Sequence, residues 1–409
     1  MRLPTRPANS YTSSSDHLFW VIRSSCDRHQ PSATISTTTL GGQLISRLLA
    51  LILALTSFTV AAPPVKFQIS PVSSSEKTGL HVLPMHIGGR VLQRGAESAP
   101  SYERQWPGTY FDTAFIGPDV YFKLGSGDAI LKITLDQSSQ SLTKPAPGLY
   151  VIRGLTNKHH DLRLEVITES QAGPTSFDGF FAPRSAKPDT PHSYPLQIEF
   201  IGDSHTVGYG NTSPKRECTE DEVWATTDTS QGIAPLVARP FHADYQVNAI
   251  SGRGIVRNYN GFPGDTLPAA YPFTLLDHTS RYDNPDWRPQ VIVVSLGTND
   301  FSTPLHAGEK WKTRDELHAD YEQTYAEFLH QLRARNPKAY FILWATEMSD
   351  GEILAEVQKV ADRVRSAGEK QISVVPVKEL EVTGCNYHPS LTDDRKIADA
   401  IVAAIKAKN

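Results

Sequence analysis

The chain has 409 residues, of which 39% are hydrophobic and 21% charged, and its formal net charge at pH 7 is −4. That length suits about two domains of ~150 residues each, with enough apolar material to bury a sizeable core. A slightly acidic balance with no long basic run argues against a nucleic-acid partner, because a phosphate backbone is recognised by clustered Lys and Arg.

Residues 1–44 are rich in Ser and Thr and carry no sustained apolar periodicity. From Arg47 the chain runs RLLALILALTSFTVAAPP, a basic flank, a short Leu-rich stretch and then small residues. This is the pattern of a secretory signal, with cleavage expected after Ala61 or Ala62. Thr56, Ser57 and Thr59 interrupt the run, which is short for a membrane span; a signal anchor left uncleaved is the alternative. Residues 1–62 are therefore expected to be a leader, with the part before Arg47 reading as a start site placed too far upstream. The mature protein is expected to be secreted or periplasmic, without stable membrane association. Removing the leader takes Cys26 with it and leaves Cys218 and Cys385, which form either a disulfide or two buried thiols. A bridge closing so long a loop would stabilise by roughly 4–5 kcal/mol on the chain-entropy model.

Over residues 65–181 short alternating runs, such as TYFDTAFIG, DVYFKLG, AILKITLDQ and LRLEVITES, are separated by Gly, Pro, Asn and Ser turns. With no helical stretch among them, they predict an antiparallel, jelly-roll-like β-sandwich. Residues 182–195, APRSAKPDTPHSYP, hold four prolines in a polar segment and predict a semi-rigid linker. Beyond it, over residues 196–409, strands and helices alternate. QIEFIG, DYQVNAI, QVIVVSLG, AYFILWAT and QISVVPV are the predicted strands, several of them almost wholly apolar, as strands buried on both faces are. Tyr321, Tyr325, Phe328 and Leu332 fall at helical spacing before Pro337, and Ile353, Val357, Val360 and Val364 do so before Gly368. A closing helix is expected from about Asp393 to Lys406. The alternation predicts a doubly wound α/β domain with a parallel sheet.

In such a sheet ligands sit at the carboxyl ends of the strands. Three of those ends carry polar residues here: GDSH at Ser204, NAISG at Gly252 and GTND at Asn299. A fourth element, Tyr387-His388-Pro389, precedes the last helix. Together they would make an acyl-transfer site. Ser204 supplies an attacking oxygen that needs a base, and His388 titrates in the right range to be one. The backbone N–H groups of Ser204 and Gly252 and the amide of Asn299 would form an oxyanion hole. Each has an ordinary alternative: Ser204 caps a helix opening at His205, Gly252 is a turn glycine, Asn299 belongs to a turn, and His388 is a surface residue.

The four blocks, GDSHTVGYG, the Gly252 stretch, GTND and a C-terminal HP, resemble those of the SGNH (GDSL-type) hydrolases. The resemblance spans residue 197 to the C-terminus and implies Ser204 as nucleophile, His388 as base, and Gly252 and Asn299 in the oxyanion hole. The family usually places Asp three residues before the His, where this chain has Cys385. A Ser–His dyad is therefore expected, with the imidazole oriented by a backbone carbonyl, by Asn386 or by an acid from elsewhere. A Cys218–Cys385 bridge would hold the His loop near the nucleophile. The preceding sandwich and GCNYHPS together resemble carbohydrate esterase family 2 in particular. This implies removal of O-acetyl groups from xylan or related plant polysaccharides, with Tyr259, Tyr387 and Trp311 as aromatic residues for a sugar ring.

No metal or cofactor is expected: His159 and His160 are adjacent, and neither HExxH, CxxC nor a phosphate loop occurs. The same site would also serve a lipase or lysophospholipase. A carbohydrate-binding protein with an inactive hydrolase-like half is the alternative from a different class.

Overall fold

A computed structural model of the chain describes residues 66–73, 79–96 and 98–408. The leader expected over residues 1–62, with Cys26, lies outside them.

The first half is two antiparallel sheets packed face to face. One runs, in spatial order, Ile69–Pro71, Gly148–Ile152, Val120–Leu124, Thr175–Pro183, Ala99–Arg104 and Leu92–Ala96, with Leu80–Val82 added to Thr175–Pro183. The other runs Lys187–Asp189, Tyr110–Ile116, His159–Val166, Ile130–Leu135 and Ser138–Thr143, with His86–Gly88 added to Tyr110–Ile116. Side chains alternate along a strand, so Leu131, Ile133 and Leu135, facing Leu162 and Leu164, reach one core together with Phe111, Phe122, Phe177 and Phe180. Burying each such side chain contributes roughly 1.5–3 kcal/mol.

Part of the expected linker is sheet. Ala182 and Pro183 finish the strand Thr175–Pro183, and Lys187–Asp189 pairs with Tyr110–Ile116. Pro188 is tolerated there because the strand lies on an edge, where a missing N–H leaves no neighbour unpaired.

The second half is a five-stranded parallel sheet: β1 (Leu196–Gly202), β2 (Ala243–Ala249), β3 (Val291–Ser295), β4 (Tyr340–Thr346) and β5 (Ile372–Val377). Its spatial order is β2-β1-β3-β4-β5. The helices that matter are α1 (Ser204–Val207), α2 (Ile233–Ala238), α3 (Thr298–Phe301), α4 (Arg314–Arg335), α5 (Glu352–Ser366) and α6 (Leu391–Lys408). Ile292 and Val294 of β3 pack with α4 and α5, while Val291 and Val293 pack with α2 and α6. Helices on both faces are the reason the central strands are largely apolar, whereas edge strand β2 carries Asp244, Gln246 and Asn248. Thr313 caps α4 by accepting from the Glu316 N–H, and Pro337 lies just past its end.

The two halves belong to one compact unit. Their contact is polar and buried. Arg90, in the loop before Leu92–Ala96, pairs with Glu199 of β1 at 3.2 Å and lies over the rings of Tyr271 and Tyr282 at 4.3 and 4.2 Å. The Tyr110 hydroxyl donates to Asp244, the Tyr245 hydroxyl to Glu165, and the Trp106 indole to the Phe273 carbonyl. No described helix is long and apolar enough to cross a membrane.

Candidate active site

The strand order reverses between β1 and β3, and the crevice of an open α/β sheet lies beyond the carboxyl ends of strands at such a point. Ser204 follows β1, Gly252 follows β2 and Asn299 opens α3 after β3, while His388 stands just ahead of α6.

Ser204 is the first helical residue of α1, and the cap is one residue earlier. Asp203 is extended (φ −117°) and its side chain accepts from the His205 N–H at 3.1 Å. The reading of Ser204 as a cap is thus corrected, because a carboxylate already fills that position. The freed hydroxyl lies 2.9 Å from His388 Nε2.

The other ring nitrogen settles the tautomer. Nδ1 of His388 lies 2.9 Å from the Cys385 carbonyl oxygen and 3.1 Å from that of Asn386, and carbonyls only accept. Nδ1 therefore carries the proton, leaving the Nε2 lone pair to accept a hydrogen bond from the Ser204 hydroxyl. Of the three orienting groups considered from sequence, the geometry presents a backbone carbonyl. The Asn386 side chain is engaged elsewhere: its amide donates to the Tyr209 hydroxyl and its oxygen accepts from the Cys218 N–H. Removal from water lowers the His388 pKa to about 4, against the pull of the two carbonyls, so the ring is neutral over a wide range.

A disulfide joins Cys218 to Cys385 across 167 residues, tying the His388 loop to the segment after Ser204. The Cys385 N–H donates to Gly210 O at 3.2 Å, and the Gly384 N–H to His388 O at 3.0 Å. Gly210, at φ +56°, is needed for closeness as well as conformation, since a Cβ there would stand 2.3 Å from that of Cys385. Within the loop Asn386 and Tyr387 are left-handed (φ 50° and 61°), which costs a residue with a side chain ~1–2 kcal/mol.

On the opposing side, Gly252 is left-handed (φ +83°). Its N–H and that of Ser204 meet no acceptor among the described residues. The Asn299 amide donates to Asp203 Oδ2 at 3.1 Å and to Arg253 O at 2.9 Å, so donating to a third group would require giving up one of these. Asp300 binds the loop after Gly252 by accepting from the N–H groups of Ile255, Val256 and Arg257 at 3.0, 2.9 and 2.9 Å. Burial raises Asp203 to about 7 and Asp300 to about 6, with backbone donors opposing the shift in both.

Of the three aromatic residues proposed for a sugar, Tyr387 is 57% exposed and Tyr259 is 52% exposed, in loops next to His388 and Gly252. Trp311 is a correction. It is buried at 9% exposure in the core beside α4, with its N–H given to Asp320 at 2.9 Å, and it presents no face to a ligand. Phe262, 37% exposed, packs beside Gly252 instead. A cleft of about 630 Å³ lies between sandwich residues Gly127 and Gln171 and the α/β residues Tyr209 and Trp224. Among the described residues no group of three or more His, Cys, Asp or Glu is placed to hold a metal ion.

Residues 87–191 match the carbohydrate esterase 2 N-terminal family, and residues 200–402 match the GDSL-like lipase/acylhydrolase family. An acetylxylan esterase / glucomannan deacetylase of Cellvibrio japonicus (strain Ueda107) is 45% identical over 329 residues, covering 80% of this chain and 91% of the relative. The chain belongs to carbohydrate esterase family 2. A solved carbohydrate esterase whose active site displays divergent catalytic and non-catalytic binding functions superposes with a TM-score of 0.77 at 43% identity, covering 80% of this chain and 99% of that one. A family two carbohydrate esterase from Clostridium thermocellum, in complex with cellohexaose, does so with a TM-score of 0.69 at 26% identity, covering 80% and 99%.

Around this esterase's histidine stand groups that sequence reading passed over. Tyr209 packs on the His388 ring (centroids 4.2 Å apart, 30° between planes) and His205 meets it edge-on at 5.5 Å. His205 lies in turn against Trp344, and burial lowers its pKa to about 3. The adjacency of His205 to Ser204 was the available signal; nothing local marked Tyr209.

Proposed function

We propose that this esterase is exported and removes O-acetyl groups from xylan or related plant polysaccharides, with Ser204 as nucleophile and His388 as base. The observation that carries the reading is the 2.9 Å approach of His388 Nε2 to Ser204 Oγ, with Nδ1–H held by the Cys385 carbonyl. As Oγ attacks the acetyl carbonyl, its proton passes to Nε2, and the carbonyl oxygen becomes an oxyanion facing the N–H groups of Ser204 and Gly252. Asn299 joins them once it exchanges a present contact. Collapse of the tetrahedral adduct breaks the bond to the sugar oxygen, which takes the proton from Nε2. Water then attacks the acetyl-enzyme by the same route, releasing acetate and restoring the Ser204 hydroxyl.

Four further facts support the substrate and the location. Exposed Tyr259, Phe262 and Tyr387 offer apolar faces of the kind a sugar ring packs on, and a relative of this family is bound to cellohexaose. The Cys218–Cys385 bridge suits an oxidising compartment, in keeping with the signal-like stretch after Arg47.

Acetate release from acetylated xylan, set against fatty-acid release from phospholipid, separates this reading from a lipase. Ser204→Ala is expected to abolish deacetylation; a variant as fast as wild type would overturn the nucleophile assignment. N-terminal sequencing of the exported protein is expected to begin just after Ala61 or Ala62.

A further inference from the structure

The loop that follows the sandwich strand His159–Val166 leaves its own half and touches the backbone of Ser251. Glu169 Oε1 accepts from the Ser251 N–H at 2.9 Å, and Gln171 Nε2 lies 3.4 Å from the Ser251 carbonyl oxygen and 3.2 Å from Glu169 Oε1. Both backbone polar groups of Ser251 are thus held from the sandwich. The loop is itself braced by buried Arg104, which donates to Ser170 Oγ at 2.8 Å and to Thr175 Oγ1 at 2.7 Å.

The Ser251 carbonyl and the Gly252 N–H belong to one planar peptide group, and in a trans peptide they point in opposite directions. A donor holding that carbonyl from the sandwich therefore sends the Gly252 N–H the other way. Gly252 is the residue that most needs such fixing, because a glycine at φ +83° has no side chain to restrict it. From the α/β side, Gly202 O accepts from the Ile250 N–H, the Tyr259 N–H donates to Gly252 O, and Asp300 and Asn299 hold the loop from Arg253 onward. Ser251, directly before Gly252, is held at both its backbone groups by the sandwich.

We infer that Glu169 and Gln171 are positioning residues: through Ser251 they orient the Gly252 N–H as an oxyanion donor, so that the sandwich completes the catalytic site. The inference rests on the acyl-transfer reading given above. An oxyanion donor acts only if it is aimed before the charge develops, so loss of aim lowers the rate of the chemical step and leaves substrate binding nearly unchanged.

The test uses the full chain and p-nitrophenyl acetate, a substrate with no polysaccharide to bind. Glu169→Ala is expected to lower kcat about 10- to 100-fold while KM moves less than about threefold. Glu169→Gln, which keeps an accepting oxygen, is expected to recover most of that loss. A Glu169→Ala variant with unchanged kcat, one altered only in KM, or a Glu169→Gln variant as slow as the alanine would each overturn the inference. If Glu169→Ala does not fold, Gln171→Ala decides, with an expected fall in kcat of about 3- to 10-fold at unchanged melting temperature; undiminished kcat would overturn it. Wild type and Ser204→Ala are assayed alongside. An inactive wild type, or an active Ser204→Ala, breaks the acyl-transfer reading itself. An active wild type, inactive Ser204→Ala and unimpaired Glu169→Ala break only this inference.

Discussion

The α/β half of this esterase buries about twice as many apolar side chains as the sandwich, and the two halves differ in what reaches their shared boundary. In the parallel sheet helices pack on both faces, and the loops at the strand ends carry Ser204, Gly252 and Asn299. The sandwich spends its alternate residues on a core of its own, and from its strand ends and loops it presents Arg90, Tyr110, Glu165 and Glu169 to the neighbouring half. On the proposed function the α/β half offers the atoms that react, and the sandwich offers partners that hold backbone and charge in place. An accessory layer that never touches substrate would then belong to the active site.

The sharpest way to break that division is to remove the base. His388→Ala is expected to lower kcat on p-nitrophenyl acetate by on the order of 10⁴-fold or more while leaving the denaturant midpoint near that of wild type. A small loss would mean that the reacting pair lies elsewhere. On the sandwich side, Arg90→Ala strands the buried Glu199 carboxylate, and the expected cost is about 3–5 kcal/mol of stability, read from urea unfolding. Both halves should then unfold in a single transition; two separated transitions would show that the sandwich is an independent module.

Cys218→Ser comes next, with an expected loss of about 2–4 kcal/mol. It should also slow turnover, because the disulfide sits at the residue whose carbonyl orients His388. The pH profile gives a smaller effect. Only the neutral imidazole is a base, so activity falls as pH drops through the His388 pKa. With that value lowered to about 4, the acid limb of kcat/KM should lie well below the ordinary histidine range near 6.5. A midpoint at 6.5 would show a water-exposed ring. Smallest of all, Tyr259→Ala should raise acetylated-xylan KM by about 3- to 10-fold and leave p-nitrophenyl acetate kcat untouched, if its exposed ring packs on sugar.

What could be read from the sequence follows the same division. The parallel strands and the long helices were legible because burial on both faces leaves largely apolar runs, and amphipathic faces leave a helical period. Ser138–Thr143 was not, since SSQSLT lies on a sheet edge and is mostly exposed, so no core imposed alternation on it. Thr175–Pro183 escaped notice because Gly179 and Pro183 read as turn signals, although a bulge accommodates the first and the strand end the second.

At the site, Ser204 and His388 stood out because strand-end and pre-helix positions are visible in one dimension. Asp203 as the cap did not, since a cap shifted by one residue leaves the local pattern unchanged. Glu169 could not be found at all from local pattern: 82 residues separate it from Ser251, and only the folded chain makes them neighbours.

The group that orients His388 has a consequence for how this enzyme responds to change. A side-chain acid in that place can be deleted by a single substitution, but the carbonyl of Cys385 survives every replacement of its side chain. Alanine scanning will therefore pass over the orienting acceptor entirely. What it should register instead is sensitivity at Gly210, Asn386 and Tyr387, whose left-handed backbones hold the carbonyl where it is. In this active site, part of what makes the histidine work is inherited as a loop shape and not as a residue.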